Sequence, residues 1–163
     1  MIQQKKRITS LMFAKLDYCN SLLFGITQNK IRRLQVAQNH AARLIFRKSR
    51  RESVSALLSE LHWLNVEKRI EFKDVVLVYK CLEGSAPTYL KDLLKRYEPS
   101  RNLRSSTDKT QLSVPTCKTK ADERAFSFYG PKLWNALPQR VREAKSLDIF
   151  KRYIKTHLFF RPE

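Results

Sequence analysis

A mainly α-helical fold, a helical bundle around one central buried helix, is what this sequence predicts, and three observations carry the expectation. Residues 65–83 lose polar side chains toward their middle, until VVLVY at Val75–Tyr79 is apolar on every side. A helix that is apolar all round must be enclosed by other elements. All six prolines, Pro87, Pro99, Pro115, Pro131, Pro138 and Pro162, lie beyond residue 86. The first half is therefore free to form long helices, and the second half is broken into shorter pieces. The flanking segments, moreover, carry apolar residues at helical spacing.

In chain order, Ile8 to Phe24 reads as a helix with Leu11, Ala14, Leu16, Tyr18, Leu22 and Leu23 as its apolar surface, ended by Gly25. Asn29 to about Lys48 is the second. Its stripe is Ile31, Leu34, Ala37, Ala41, Leu44 and Ile45, and Arg32, Arg33, Arg43 and Arg47 fall on the other side, within an arc of roughly 100°. Ser53 to Leu61 is a short third helix, with Trp63 expected to pack over the core. Asn65 caps the central helix and leaves Glu67 in its first turn, where the helix dipole favours an acid. Gly84 closes it, and Pro87 suits the start of the next helix, which is expected to run on to Tyr97. Pro99 to Thr110 is polar and turn-rich, hence loop. Gln111 to Thr116 has β character, limited to an edge by Pro115, and Arg124 to Tyr129 is its expected partner in a small β-hairpin. Gly130-Pro131 is read as a turn into a short helical piece holding Leu133, Trp134 and Leu137. The final helix starts near Ser146, buries Leu147, Phe150, Ile154 and Leu158, and leaves Lys151, Arg152 and Lys155 outside. Residues 1–97 thus form a basic helical bundle. Residues 98–163 form a loop, the short hairpin and the amphipathic helix, packed on the first part as one domain.

The chain has 163 residues, enough to bury a core, and its 42% hydrophobic share is that of a folded protein. Lys and Arg number 33 against 15 Asp and Glu, a net +18. Such an excess repels itself and attracts polyanions. RNA or DNA is the leading partner class, and an anionic membrane surface is second. No apolar run approaches a bilayer span. The basic Lys5, Lys6 and Arg7 are followed by Asp17 and Asn20, unlike a secretory leader. Cys19, Cys81 and Cys117 are odd in number and far apart, which suits a reducing compartment. The expected location is intracellular, nuclear or cytoplasmic, and not secreted.

Between Tyr18 and Arg51 there is no acid, but there are eight bases: Lys30, Arg32, Arg33, Arg43, Arg47, Lys48, Arg50 and Arg51. Phosphates are bound by charge, with counterion release adding free energy, and arginine can grip one with two parallel hydrogen bonds. Charge runs are usually only solvated surface, but the missing acids favour nucleic-acid contact here. Arg101 and Arg104, with Ser105, Ser106 and Thr107, offer a second phosphate site. Phe126, Phe128, Tyr129 and Trp134 could stack on bases, although alternating aromatics more often belong to a core, which is where they are assigned. Glu67, Glu71 and Asp74 share a helix side, but Lys68, Arg69 and Lys73 are interleaved, so a mixed-charge surface is expected rather than a metal site. His40, His62 and His157 are isolated. No zinc spacing, phosphate-cradling glycine loop or nucleophile motif occurs. The chain is read as non-enzymatic, without cofactor or metal.

Several segments together resemble the polyproteins of non-LTR (LINE-type, jockey-like) retrotransposons. They are LDYCNSLLFGI at Leu16–Ile26, LQVAQNHAARLI at Leu34–Ile45, ELHWLNVEKRIEFK at Glu60–Lys73 and VYKCLEGSAPTYLKDLL at Val78–Leu94. RNLRSS at Arg101–Ser106, RAFSFYGPKLWNALP at Arg124–Pro138 and SLDIFKRYIKTHLF at Ser146–Phe159 complete the set. The resemblance spans roughly residues 11–160, in the family's order, and matches the region that follows the reverse transcriptase core. It implies a parent that makes DNA from RNA at a nicked target. No Asp-Asp pair is present, so no catalytic aspartate carries over, and the resemblance assigns no binding residue. It implies a basic module holding template RNA or target DNA beside a polymerase. The alternatives are a helical protein-interaction scaffold that packs against that core, with bare apolar surface expected on Ile8–Phe24, or a relic without a task.

Overall fold

The computed structural model describes residues 2–98 and 110–161. Among these, eight α-helices and two short 3-10 turns account for the regular structure, and no strand forms. The chain gathers into two compact units, Met1–Ile70 and Glu71–Glu163. The division falls inside α4, Val66–Leu82, the helix expected to be central. No described helix is long and apolar enough to cross a membrane.

The first unit holds α1 (Ile2–Leu16), α2 (Gln28–Phe46), α3 (Val54–Glu60) and the first residues of α4. The first helix stops well short of Phe24. Cys19 takes a left-handed backbone, and Asn20–Leu23 wind as a 3-10 turn before Gly25 reverses the chain at φ 67°. Short polar residues such as Asn20 and Ser21 offer the backbone alternatives to a helix, which is why the periodic apolar pattern overran its end. Two apolar clusters hold the unit. Ala42, Leu57, Leu61 and Trp63 are joined by Met12, Phe13 and Phe46. Ile31, Val66 and Ile70 are joined by Leu23, Phe24 and Leu34. Trp63 packs in this core as expected, edge-on to Phe13 at 4.9 Å.

Asn65 caps α4 through its Oδ1, which accepts from the Lys68 N–H at 2.9 Å. A second orphan donor, the Val66 N–H, is met by Gln35 Oε1 at 2.8 Å. Gln35 Nε2 in turn donates to Gln38, whose own Nε2 donates to the Leu64 carbonyl at 2.8 Å. Gln38 is fully buried. Two glutamines of α2 thus hold the start of α4, a use the apolar pattern could not reveal.

In the second unit Val75, Val76, Val78 and Tyr79 of the apolar run are buried, with Cys81 beyond it, while Leu77 is half-buried. Tyr79 stacks on Phe150 at 4.3 Å, and Phe150 stacks on Trp134 at 5.7 Å. The remaining helices are α5 (Thr88–Lys91), α6 (Phe126–Asn135), α7 (Gln139–Arg142) and α8 (Leu147–Phe160). The last of these buries Phe150, Ile154 and Leu158 as its spacing demands, leaves Leu147 half-buried, and has Ser146 Oγ accepting from the Ile149 N–H at its start.

The expected hairpin is absent. Residues 126–135 are helix, with Gly130 and Pro131 inside it rather than forming a turn. Tyr129, Gly130 and Trp134 are buried within it, an i, i+1, i+5 set on one helical face, with buried Pro131 beside them. The 3.6-residue period therefore wins over the short alternation in RAFSFY. The β-like stretch finds other partners. Leu112 donates to Asn135 Oδ1 at 2.9 Å and accepts from Asn135 Nδ2 at 2.7 Å, so one side-chain amide takes the place of a neighbouring strand. On its other edge Leu112 makes an isolated antiparallel bridge with Arg96. That bridge needs extended backbone, so the helix expected to reach Tyr97 ends at Lys91.

Candidate nucleic-acid interface

Helix α2 is amphipathic. At 100° per residue, its buried Ile31, Gln38 and Ala42 lie within an arc of about 40°. The stripe differs from the one expected: Ala37 and Leu44 are exposed, Leu44 to 57%, and Gln38 and Ala42 take the centre. A polar glutamine that satisfies a buried carbonyl is invisible to a reading based on apolar spacing.

The opposite face carries the arginines. Arg32, Arg33 and Arg47 are exposed, and so are Lys30, Lys48, Arg50 and Arg51. Arg43 is only half-exposed. Its Nη2 donates to the Glu52 carbonyl at 3.3 Å, while its buried Nε has no hydrogen-bond partner. Lys48 is neutralised by Glu52 at 3.0 Å. Among the described residues, no ion pair engages Lys30, Arg32, Arg33, Arg47, Arg50 or Arg51. Val36, 46% exposed, His40 and Leu44 are interleaved with the arginines on this face. Sequence reasoning placed Leu44 inside and gave Val36 and His40 no role. The signal for them was available: both fall between arginines when α2 is drawn as a wheel.

The helix ends where the charge is densest. Arg47 adopts φ 53°, and the Lys48 N–H reaches back to the Arg43 carbonyl at 3.0 Å. This is the Schellman closure that glycine usually makes. Arg50 and Arg51 follow in the turn before α3. The arrangement offers a run of guanidinium groups over one helix face and the turn beyond it, about 22 Å from Arg32 to Arg47. Such a surface can line up against a phosphate backbone and place small apolar side chains beside sugars or bases.

The second phosphate candidate, Arg101 and Arg104, lies outside the described residues. Of the proposed stacking aromatics, Tyr129 and Trp134 are buried, and Phe126 and Phe128 are half-buried. Trp134 Nε1 donates to the Thr110 carbonyl at 2.8 Å, which commits that ring to the core. The three acids on α4 have separate surroundings. Glu67 accepts from Gln28 at 3.2 Å, Glu71 pairs with Arg161 at 2.6 Å, and Asp74 is fully buried. Among the described residues no His, Cys, Asp and Glu side chains are grouped to hold a metal.

Comparison of the chain with protein-family models, with curated proteins and with solved structures found no match.

Proposed function

We propose that the chain is a non-catalytic, sequence-tolerant RNA- or DNA-binding module that docks a phosphate backbone on the arginine face of α2. The observation that carries this reading is the set of exposed Arg32, Arg33, Arg47, Arg50 and Arg51 without a carboxylate partner among the described residues. Phosphate contacts position a strand without reading its bases, so binding tolerates sequence change. The resemblance to the region after a retrotransposon reverse transcriptase supplies a context: a module that steadies template RNA or target DNA beside a polymerase. The test is charge reversal of Arg32, Arg33, Arg47, Arg50 and Arg51 to glutamate, followed by fluorescence anisotropy on structured RNA, duplex DNA and single strands. A loss of at least a hundredfold in affinity is expected. Unchanged affinity would remove α2 from consideration.

A second reading, a protein-docking scaffold, is favoured by Leu11, Tyr18 and Leu22, exposed to 69%, 79% and 74%. All three fall in the Ile8–Phe24 segment, and each is more than two-thirds exposed. Under that reading Leu11→Ser, Tyr18→Ser and Leu22→Ser abolish capture of a reverse transcriptase core and leave nucleic-acid affinity intact. Capture that survives all three changes rules the scaffold out.

A further inference from the structure

The second compact unit carries an open pocket of about 410 Å³ between α7 and α8. That volume lies within the range of small-ligand sites. Its apolar wall is Ala144, Ile149 and the half-buried ring of Tyr153. The Arg140 guanidinium lies over the Tyr153 ring, 5.5 Å from its centroid. Arg140 and Lys145 are exposed and line the same pocket as the ring. The wall is fixed from behind: the Tyr79 hydroxyl donates to the Ala144 carbonyl at 3.0 Å. At the rim, Gln139 Nε2 donates to Glu143 Oε1 at 2.6 Å, which aligns a carboxylate beside the pocket.

We propose that this pocket holds one unpaired nucleotide: its base takes the place of the Arg140 guanidinium over Tyr153, and Arg140 turns to meet the phosphate together with Lys145. Base-on-tyrosine stacking suits any base, and guanidinium and ammonium groups supply the phosphate contacts. Glu143 is repelled by phosphate and so belongs to the base end, where it accepts from an exocyclic amine such as that of cytosine. Cytidine is therefore preferred to uridine. None of these residues belongs to α2, so the pocket and the arginine face stand or fall separately.

The same nucleotide chemistry could come from a free monophosphate or from a strand. The full chain, labelled with nitrogen-15, is titrated with cytidine monophosphate, uridine monophosphate, inorganic phosphate and a short oligocytidine. Amide shifts at Gln139, Lys145, Ile149 and Tyr153 are followed. Saturable shifts confined to this pocket are expected, with cytidine monophosphate several-fold tighter than uridine monophosphate. Tyr153→Phe keeps the affinity, because the ring and not the hydroxyl is used. Arg140→Gln with Lys145→Gln weakens it about tenfold. Both changes fall on exposed or conservatively replaced side chains, so the folded chain remains testable. Shifts with oligocytidine alone assign the site to a strand, and shifts with the monophosphate alone assign it to a free nucleotide. The proposal is overturned if inorganic phosphate matches cytidine monophosphate, if neither nucleotide form shifts the pocket, or if the double variant binds unchanged. Equal affinity for cytidine and uridine removes Glu143 from recognition. Nucleotide shifts here that persist after charge reversal on α2 would uphold the pocket, and the α2 reading fails on its own test, an unchanged strand affinity after that reversal.

Discussion

Arg47 has its backbone in a region that costs an L-residue about 1–2 kcal/mol. Glycine would close α2 without that penalty. With glycine's extra unfolded-state entropy set against that relief, Arg47→Gly is expected to raise stability by about 0.5 kcal/mol, measured by urea denaturation, while weakening nucleic-acid binding. A variant that binds as tightly as the parent would show that the charge has no task there. Arg69 shows the opposite economy. Its Nε and Nη2 donate to both oxygens of Asp17, at 2.5 and 2.6 Å, and its guanidinium lies 3.6 Å over the Phe13 ring. One arginine of α4 thus fastens α1, and it is spent on structure. His157 shows a third use of charge. Burial pushes its pKa below 6.5, Arg161 adds to this, and Glu71 opposes it. The folded form disfavours the proton, so this group's contribution is full above the unfolded pKa and is lost as pH falls through the lower folded one. Stability should drop as pH falls below the ordinary histidine range of about 6.5, and His157→Gln should flatten that slope in denaturation midpoints. An identical slope in the variant would assign the acid sensitivity to other groups.

Among the elements, α6 differs most from its expected form. Gly130 is helical there, and its role is close approach rather than a turn: an added Cβ would meet Val78 Cγ2 at 3.3 Å and Phe126 Cε2 at 3.4 Å. Val78 is fully buried and has nowhere to retreat. Gly130→Leu should therefore cost about 2–3 kcal/mol through overpacking, visible as a lower midpoint in urea. A neutral result would mean that α6 can shift off α4. Helix α2 teaches the converse. Its arginine arc could be drawn from the sequence because helical geometry fixes relative angles. Its buried centre could not, because Gln38 is buried for the sake of the Leu64 carbonyl, a partner 26 residues away.

For the molecule as a whole, the net +18 attracts polyanions, and the number of phosphates contacted sets how binding responds to salt. If five arginines each neutralise one phosphate, log K should fall against log salt with a slope of about −4.5 on duplex DNA and about −3.5 on single strands. Reversing Arg32, Arg33 and Arg47 should flatten the duplex slope by about 3. A slope that stays steep after reversal would point to charges elsewhere in the chain.

By itself the sequence determined the helical class, the extent and capping of α4, the amphipathic α8 and the direction of the arginine arc. These follow from local periodicity, cap chemistry and composition, which act within a few residues. Tertiary structure alone decided that Phe126–Asn135 is helix, that Asn135 partners Leu112, and that Gln35 and Gln38 secure α4. It also decided which cations are engaged by carboxylates far along the chain, as Arg69 is by Asp17, and which stay open, as Arg32 and Arg33 do. The reason is physical: a buried polar group or a charge is settled by whichever partner the fold brings to it, and those partners lie far away along the chain.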